Sequence, residues 1–116
     1  MVVESVERAR ELARPEGRRA AAHFALGRNK RSLCVDLKRP GGSAIFRALA
    51  RRADVVVEGF RPGVVARLGI DYAALAPENA RLVYCSLSGF GQQGPYAKLA
   101  GHDVTYAALA GALGMI

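Results

Sequence analysis

The sequence predicts an α/β fold, a Rossmann-like parallel sheet with flanking helices, on three observations. Three short β-prone runs, SLCVDL (32–37), DVVVEG (54–59) and RLVYCSL (81–87), alternate with segments of helical spacing. The connections between them are short, as right-handed crossovers between parallel strands require. The middle run is nearly continuous valine, the pattern of a strand buried on both faces.

Taken in order, residues 1–25 read as an exposed or poorly ordered lead-in, with helix formers over 3–13 ended by Pro15 and Gly17. Residues 26–116 are expected to form the folded unit. After SLCVDL, Lys38 and the Pro40, Gly41, Gly42 punctuation suit entry into a helix. Ile45, Phe46 and Leu49 then recur at helical spacing, and Arg47, Arg51 and Arg52 crowd its far end, where cations complement the helix dipole. Asp54 opens the second strand, FRPG turns the chain, and VVARLG and Tyr72–Leu75 make two short helical pieces before Pro77. RLVYCSL is the third strand. AGHDVTYAALAG (100–111) then opens a further helix at Gly101 or His102.

A chain of 116 residues suits one small domain, and its 51% hydrophobic and 23% charged content excludes a disordered polymer. The formal net charge of +7 favours an anionic partner (nucleic acid, membrane surface or phosphorylated small molecule), with simple solubility as the ordinary alternative. Cys34 and Cys85 lie in apolar runs without CxxC spacing, so they read as buried thiols of a reducing compartment, and no metal site is expected. No apolar run approaches the roughly 20 residues of a membrane span. The N-terminal segment has no apolar core of the secretory type, so the expected location is cytoplasmic.

In open parallel sheets ligands bind beyond the carboxyl ends of the strands. The residues with chemistry fall there: Lys38 after the first strand, Phe60 and Arg61 after the second, and SGFGQQGPY (88–96), with Gly89 and Gly91, after the third. Arg28, Lys30, Arg31 and Arg67 add cations suited to phosphate, while a solvated basic face is the plain alternative for any one of them. Phe60 is placed either to stack on an adenine ring or to plug the core. The glycine-rich loop is either an oxyanion cradle or a long turn; its GxGxxG spacing lacks the helix of a dinucleotide fingerprint. His102 at a helix N-terminus favours the neutral imidazole, able to accept a proton. Asp103 either orients that histidine or helps to cap the helix.

NKRSLCVDLKRPGG (29–42), ADVVVEGFRPGVVARLGID (53–71) and RLVYCSLSGFGQQGPYAKLAGHDVTYAALAG (81–111) together resemble the family III CoA-transferases (CaiB/BaiF-like), most closely their racemase branch. The resemblance covers roughly residues 26–116. It implies part of a large Rossmann-like domain in an enzyme with a further small domain and two interlocked subunits. It implies coenzyme A, as part of an acyl-CoA substrate, at Val35, Lys38, Phe60 and Arg67. Gly59 stands where the family often has asparagine, which removes one polar contact. The GHD triplet points to racemisation of 2-methylacyl-CoA, because transferases commonly carry an aromatic residue at the position of His102. Both chemistries use an aspartate a few tens of residues beyond GHD, and the motifs begin without the family's first strand and glycine-containing entry segment. The chain therefore reads as an internal piece of a longer enzyme, inactive alone. A small basic nucleic-acid-binding module is the alternative from another class, but its stacking platform of interleaved aromatics is missing. A non-catalytic remnant that only assembles with other subunits is the third.

Overall fold

The structure is a computed structural model and describes residues 2–4 and 27–115. The chain divides into two compact units, Met1–Arg47 and Ala48–Ile116.

In the first unit, β1 (Val2–Glu4) pairs in parallel with β2 (Ser32–Cys34), with Val3 opposite Leu33. This corrects the helix-former reading of 3–13 at Val3 and Glu4: two adjacent valines suit a pleated strand once a partner is available. It also supplies a strand ahead of SLCVDL, which the sequence reading lacks. Residues 5–26, which hold most of the expected lead-in and the first residue of the expected folded unit, lie outside the described residues. β2 is shorter than the six residues expected because Asp36 turns the chain. Its carboxylate accepts the Lys38 N–H at 3.0 Å and its carbonyl accepts that of Arg39 at 3.1 Å. The helix α1 (Pro40–Ala50) follows directly. A Cβ on Gly42 would collide with the Asp36 carbonyl oxygen, so this close approach of turn to helix requires glycine.

The second unit contains β3 (Val55–Glu58), the single-turn helices α2 (Val64–Arg67) and α3 (Tyr72–Leu75), β4 (Val83–Ser86), α4 (Asp103–Leu109) and a 3-10 turn at Ala112–Met115. β3 and β4 are parallel, with Val56 opposite Tyr84 and Glu58 opposite Ser86. The parallel pairing matches the expectation, but it is distributed over two two-stranded sheets rather than one run of three. Ala50, Val56, Val65, Ile70, Leu75 and Leu82 form the core of this unit, and Ile70 and Leu75 are fully buried. Asn79 ties the strands' entry side to the end of α1. Its amide donates to the carbonyls of Ala50 at 3.0 Å and Ala53 at 2.8 Å, and its oxygen accepts the Arg81 N–H at 3.2 Å.

Two expectations are corrected. The valine run is buried on one face only: Val56 and Glu58 are inside, while Val55 and Val57 are 53% and 60% exposed. A continuous apolar run reports strand propensity and does not by itself report a second covering layer. Cys34 and Cys85 are exposed. The period of two puts Cys85 on the same open face as Val83.

Candidate functional site

β3 ends in a buried carboxylate. Glu58 Oε2 accepts the N–H of Phe60 at 2.7 Å, a bond that ties the first residues after the strand back to its last side chain. The Glu58 carbonyl accepts the Leu87 N–H at 2.8 Å, so the loops after β3 and β4 depart side by side from the carboxyl edge of the sheet. Between them lies a pocket of about 160 Å³, lined by residues 59–62 and 87–90 and closed by Ala97, residues 99–101 and Tyr106. Its lining residues include Arg61, Ser88 and the glycines at 59, 89 and 101 together with the aromatic residues Phe60, Phe90 and Tyr106. That combination suits an anionic, partly apolar ligand.

The structure brings Phe60, Arg61 and Gly89 together in this lining. Phe60 is 42% exposed, so it is not a core plug. Arg67 is exposed in the last turn of α2 and lies outside the lining, as does Gly91, whose backbone is left-handed at φ 81°. Val35 is buried and Lys38 exposed; both belong to the first unit.

His102 directly follows the lining residue Gly101 and is the N-cap of α4, extended at φ −124° and ψ 166°. Its carbonyl accepts the Tyr106 N–H at 3.0 Å, the first bond of the helix. The cap position belongs to His102 rather than Asp103, and no side-chain hydrogen bond closes it. Asp103 places its negative charge in the first turn, where the helix dipole favours it. His102 and Asp103 are both exposed.

Two residues with clear roles escape the motif reading. Glu58 is the lone acid at the end of a valine run, a signal that it turns back on its own backbone. Tyr106, four residues after His102, is the one aromatic in an otherwise small helical run and so falls on the histidine's side of the helix. On β4, Tyr84 donates its hydroxyl to the Ile70 carbonyl at 3.0 Å. Burial pushes its phenol up to about 12, helped by the nearby charges of Glu58 and Asp71. Among the described residues, no group of three or more His, Cys, Asp or Glu is placed to hold a metal ion, and no helix is long and apolar enough to cross a membrane.

The sequence profile of "CoA-transferase family III" matches residues 3–116. The chain is 53% identical over 91 residues to human α-methylacyl-CoA racemase, covering 78% of this chain and 24% of that protein. It is 46% identical over 101 residues to succinate–glutarate CoA-transferase of Agrobacterium fabrum, covering 87% of this chain and 25% of that protein. A CAIB/BAIF family protein from Brucella suis superposes with a TM-score of 0.82 at 37% identity, covering 94% of this chain and 31% of that structure. The chain thus spans about a quarter of the length of the curated relatives it matches. These relatives include both a racemase and a CoA-transferase, so the match fixes a common scaffold and leaves the reaction open. With a profile match across nearly its whole length, the chain belongs to CoA-transferase family III.

Proposed function

We propose that this chain carries the coenzyme A-side pocket and the first proton-transfer group of an acyl-CoA enzyme that racemises 2-methylacyl-CoA thioesters. The observation that carries the reading is His102 at the N-cap of α4, one residue beyond the pocket lining. The thioester acidifies the α-hydrogen of the acyl group, and His102 removes it from one face or returns it to that face. A carboxylate supplied from outside residues 1–116 serves the opposite face. Glycine backbone of the 88–94 loop stabilises the enolate oxygen, since N–H donors fixed before reaction cost little reorganisation. In this reading Arg61 serves the phosphates of coenzyme A and Phe60 its adenine; Val35 and Lys38 of the first unit, and Arg67 of the second, are further candidates for contact with the cofactor. Asp103 places its side chain in the first turn of α4, where the helix dipole favours an acid, and keeps the helix start formed. A polypeptide of family length that bears this sequence acts as a cytoplasmic homodimer on a small-molecule thioester, without nucleic acid, membrane or metal.

Identity of 46% to a CoA-transferase supports a second reading. In it, an aspartate outside this chain forms a mixed anhydride with the acyl group and then holds coenzyme A as an aspartyl thioester. Incubation of a chiral 2-methylacyl-CoA in deuterated water separates the two. In a polypeptide of family length bearing this sequence, α-deuterium enters without any acid acceptor, and His102→Ala abolishes it. Turnover that depends on an added carboxylate acceptor would instead establish CoA transfer. The 116-residue chain alone incorporates no deuterium above its His102→Ala control.

A further inference from the structure

The 88–101 segment contains glycines of two kinds. Gly91 and Gly94 have left-handed backbones, φ 81° and 100°, which explains glycine at both. Gly89 and Gly101 have no such backbone, and there the requirement is space. The Tyr106 hydroxyl and ring edge occupy the volume that a Cβ on Gly89 would fill, and the same ring edge occupies that of a Cβ on Gly101. The Tyr106 ring is also tilted against Phe90 at 5.1 Å between centroids, and Phe90 against Tyr96 at 6.1 Å. Tyr106 belongs to the helix that His102 caps, whereas Gly89 belongs to the loop that leaves β4, and Gly89, Phe90, Gly101 and Tyr106 all line the pocket.

We propose that Tyr106 is a positioning residue, seated in notches at Gly89 and Gly101, which fixes the spacing between the glycine-rich loop and the helix start bearing His102. The inference rests on the acyl-CoA reading of the pocket and adds to it. The ring sets where the loop's backbone donors stand relative to the histidine, and a displacement of about 1 Å in such an arrangement costs up to 100-fold in function. A methyl group at either notch pushes the ring out, and removing the ring makes the methyl group harmless.

Amide and glycine resonances of the isotopically labelled 116-residue chain, with and without coenzyme A as the probe, test this. Tyr106→Ala is expected to move the Gly89 and Gly101 resonances, which feel the ring current, while those of Ile70 and Leu75 stay in place as the control for folding. Gly89→Ala is expected to weaken coenzyme A binding about tenfold, whereas Gly89→Ala combined with Tyr106→Ala binds no more weakly than Tyr106→Ala alone. Should Gly89→Ala fail to fold, Gly101→Ala meets the same ring from the other notch and is read in the same way. Glycine resonances indifferent to loss of the ring would overturn the seat. Losses that multiply in the double variant would overturn the steric coupling. If coenzyme A shifts no resonance of the unaltered chain, the ligand reading and the positioning role fall together, while the ring-current result still reports on the seat.

Discussion

Residues 48–87 and 88–115 build opposite walls of one pocket by different means. All the buried apolar side chains of the second unit, from Ala50 to Leu82, lie in the first stretch, whereas α4 and the 3-10 turn after it contain no buried residue. The first wall stands on a packed core, a buried carboxylate and the Asn79 bonds. The second stands on three aromatic rings, one of them pressed against two glycines. The contrast teaches that the strand edge presenting Phe60 and Arg61 is fixed by folding itself. The placement of the loop and of His102 depends on a few ring contacts, so chemistry can change on this wall without disturbing the core.

The comparison breaks first at Leu75. Leu75→Ala, at a fully buried position, is expected to cost about 3 kcal/mol in denaturant unfolding, while Leu109→Ala, in the second stretch at 64% exposure, stays within about 0.5 kcal/mol. Equal losses at both positions would mean that the second wall hides a core of its own. Asn79→Ala comes next, at about 2 kcal/mol. It removes a donor from each of the Ala50 and Ala53 carbonyls and the acceptor of the Arg81 N–H; Ala50 keeps the Ala53 N–H as a partner, so the loss falls mainly on the part-buried Ala53 carbonyl. The neighbouring Arg51–Glu78 bond at 2.8 Å is half exposed on the arginine side and contributes less, about 0.5 kcal/mol in a double-variant cycle.

A pH-dependent effect sharpens the comparison further. The Tyr84 phenol is raised from 10.0 to about 12 in the folded chain. Between those values the unfolded chain has released the proton that the folded chain still holds. The contribution is therefore fully present below about pH 10 and lost as pH rises towards 12. Tyr84→Phe is expected to flatten that alkaline decline, at the cost of about 1 kcal/mol near neutrality from the hydroxyl bond to Ile70. Equilibrium unfolding from pH 8 to pH 12 checks both. An unchanged slope in the variant would place the decline elsewhere.

Much of the frame is legible in the sequence because it is local. Strand propensity placed β3 and β4 within two residues of their observed ends, and Pro40, Gly63 and the GHD triplet marked helix starts, since turns and caps are set by a few adjacent residues. The motif order also carried the family. Burial was less legible. The exposed face of Val55 and Val57 and the exposed thiols of Cys34 and Cys85 depend on what packs over a strand, which the strand's own residues do not encode.

By itself, then, the sequence determined the parallel α/β character, the gathering of Phe60, Arg61 and Gly89 at a strand edge, and His102 at the mouth of a helix. Only the tertiary structure decided that Glu58 turns inward to hold Phe60, that Arg67 and Gly91 stand outside the lining, and that Tyr106 accounts for two glycines. The physical reason is range. Backbone preferences act over a few neighbouring residues, whereas the fit of Tyr106 against Gly89 joins positions 17 apart, and only folding brings such positions close enough for excluded volume to act.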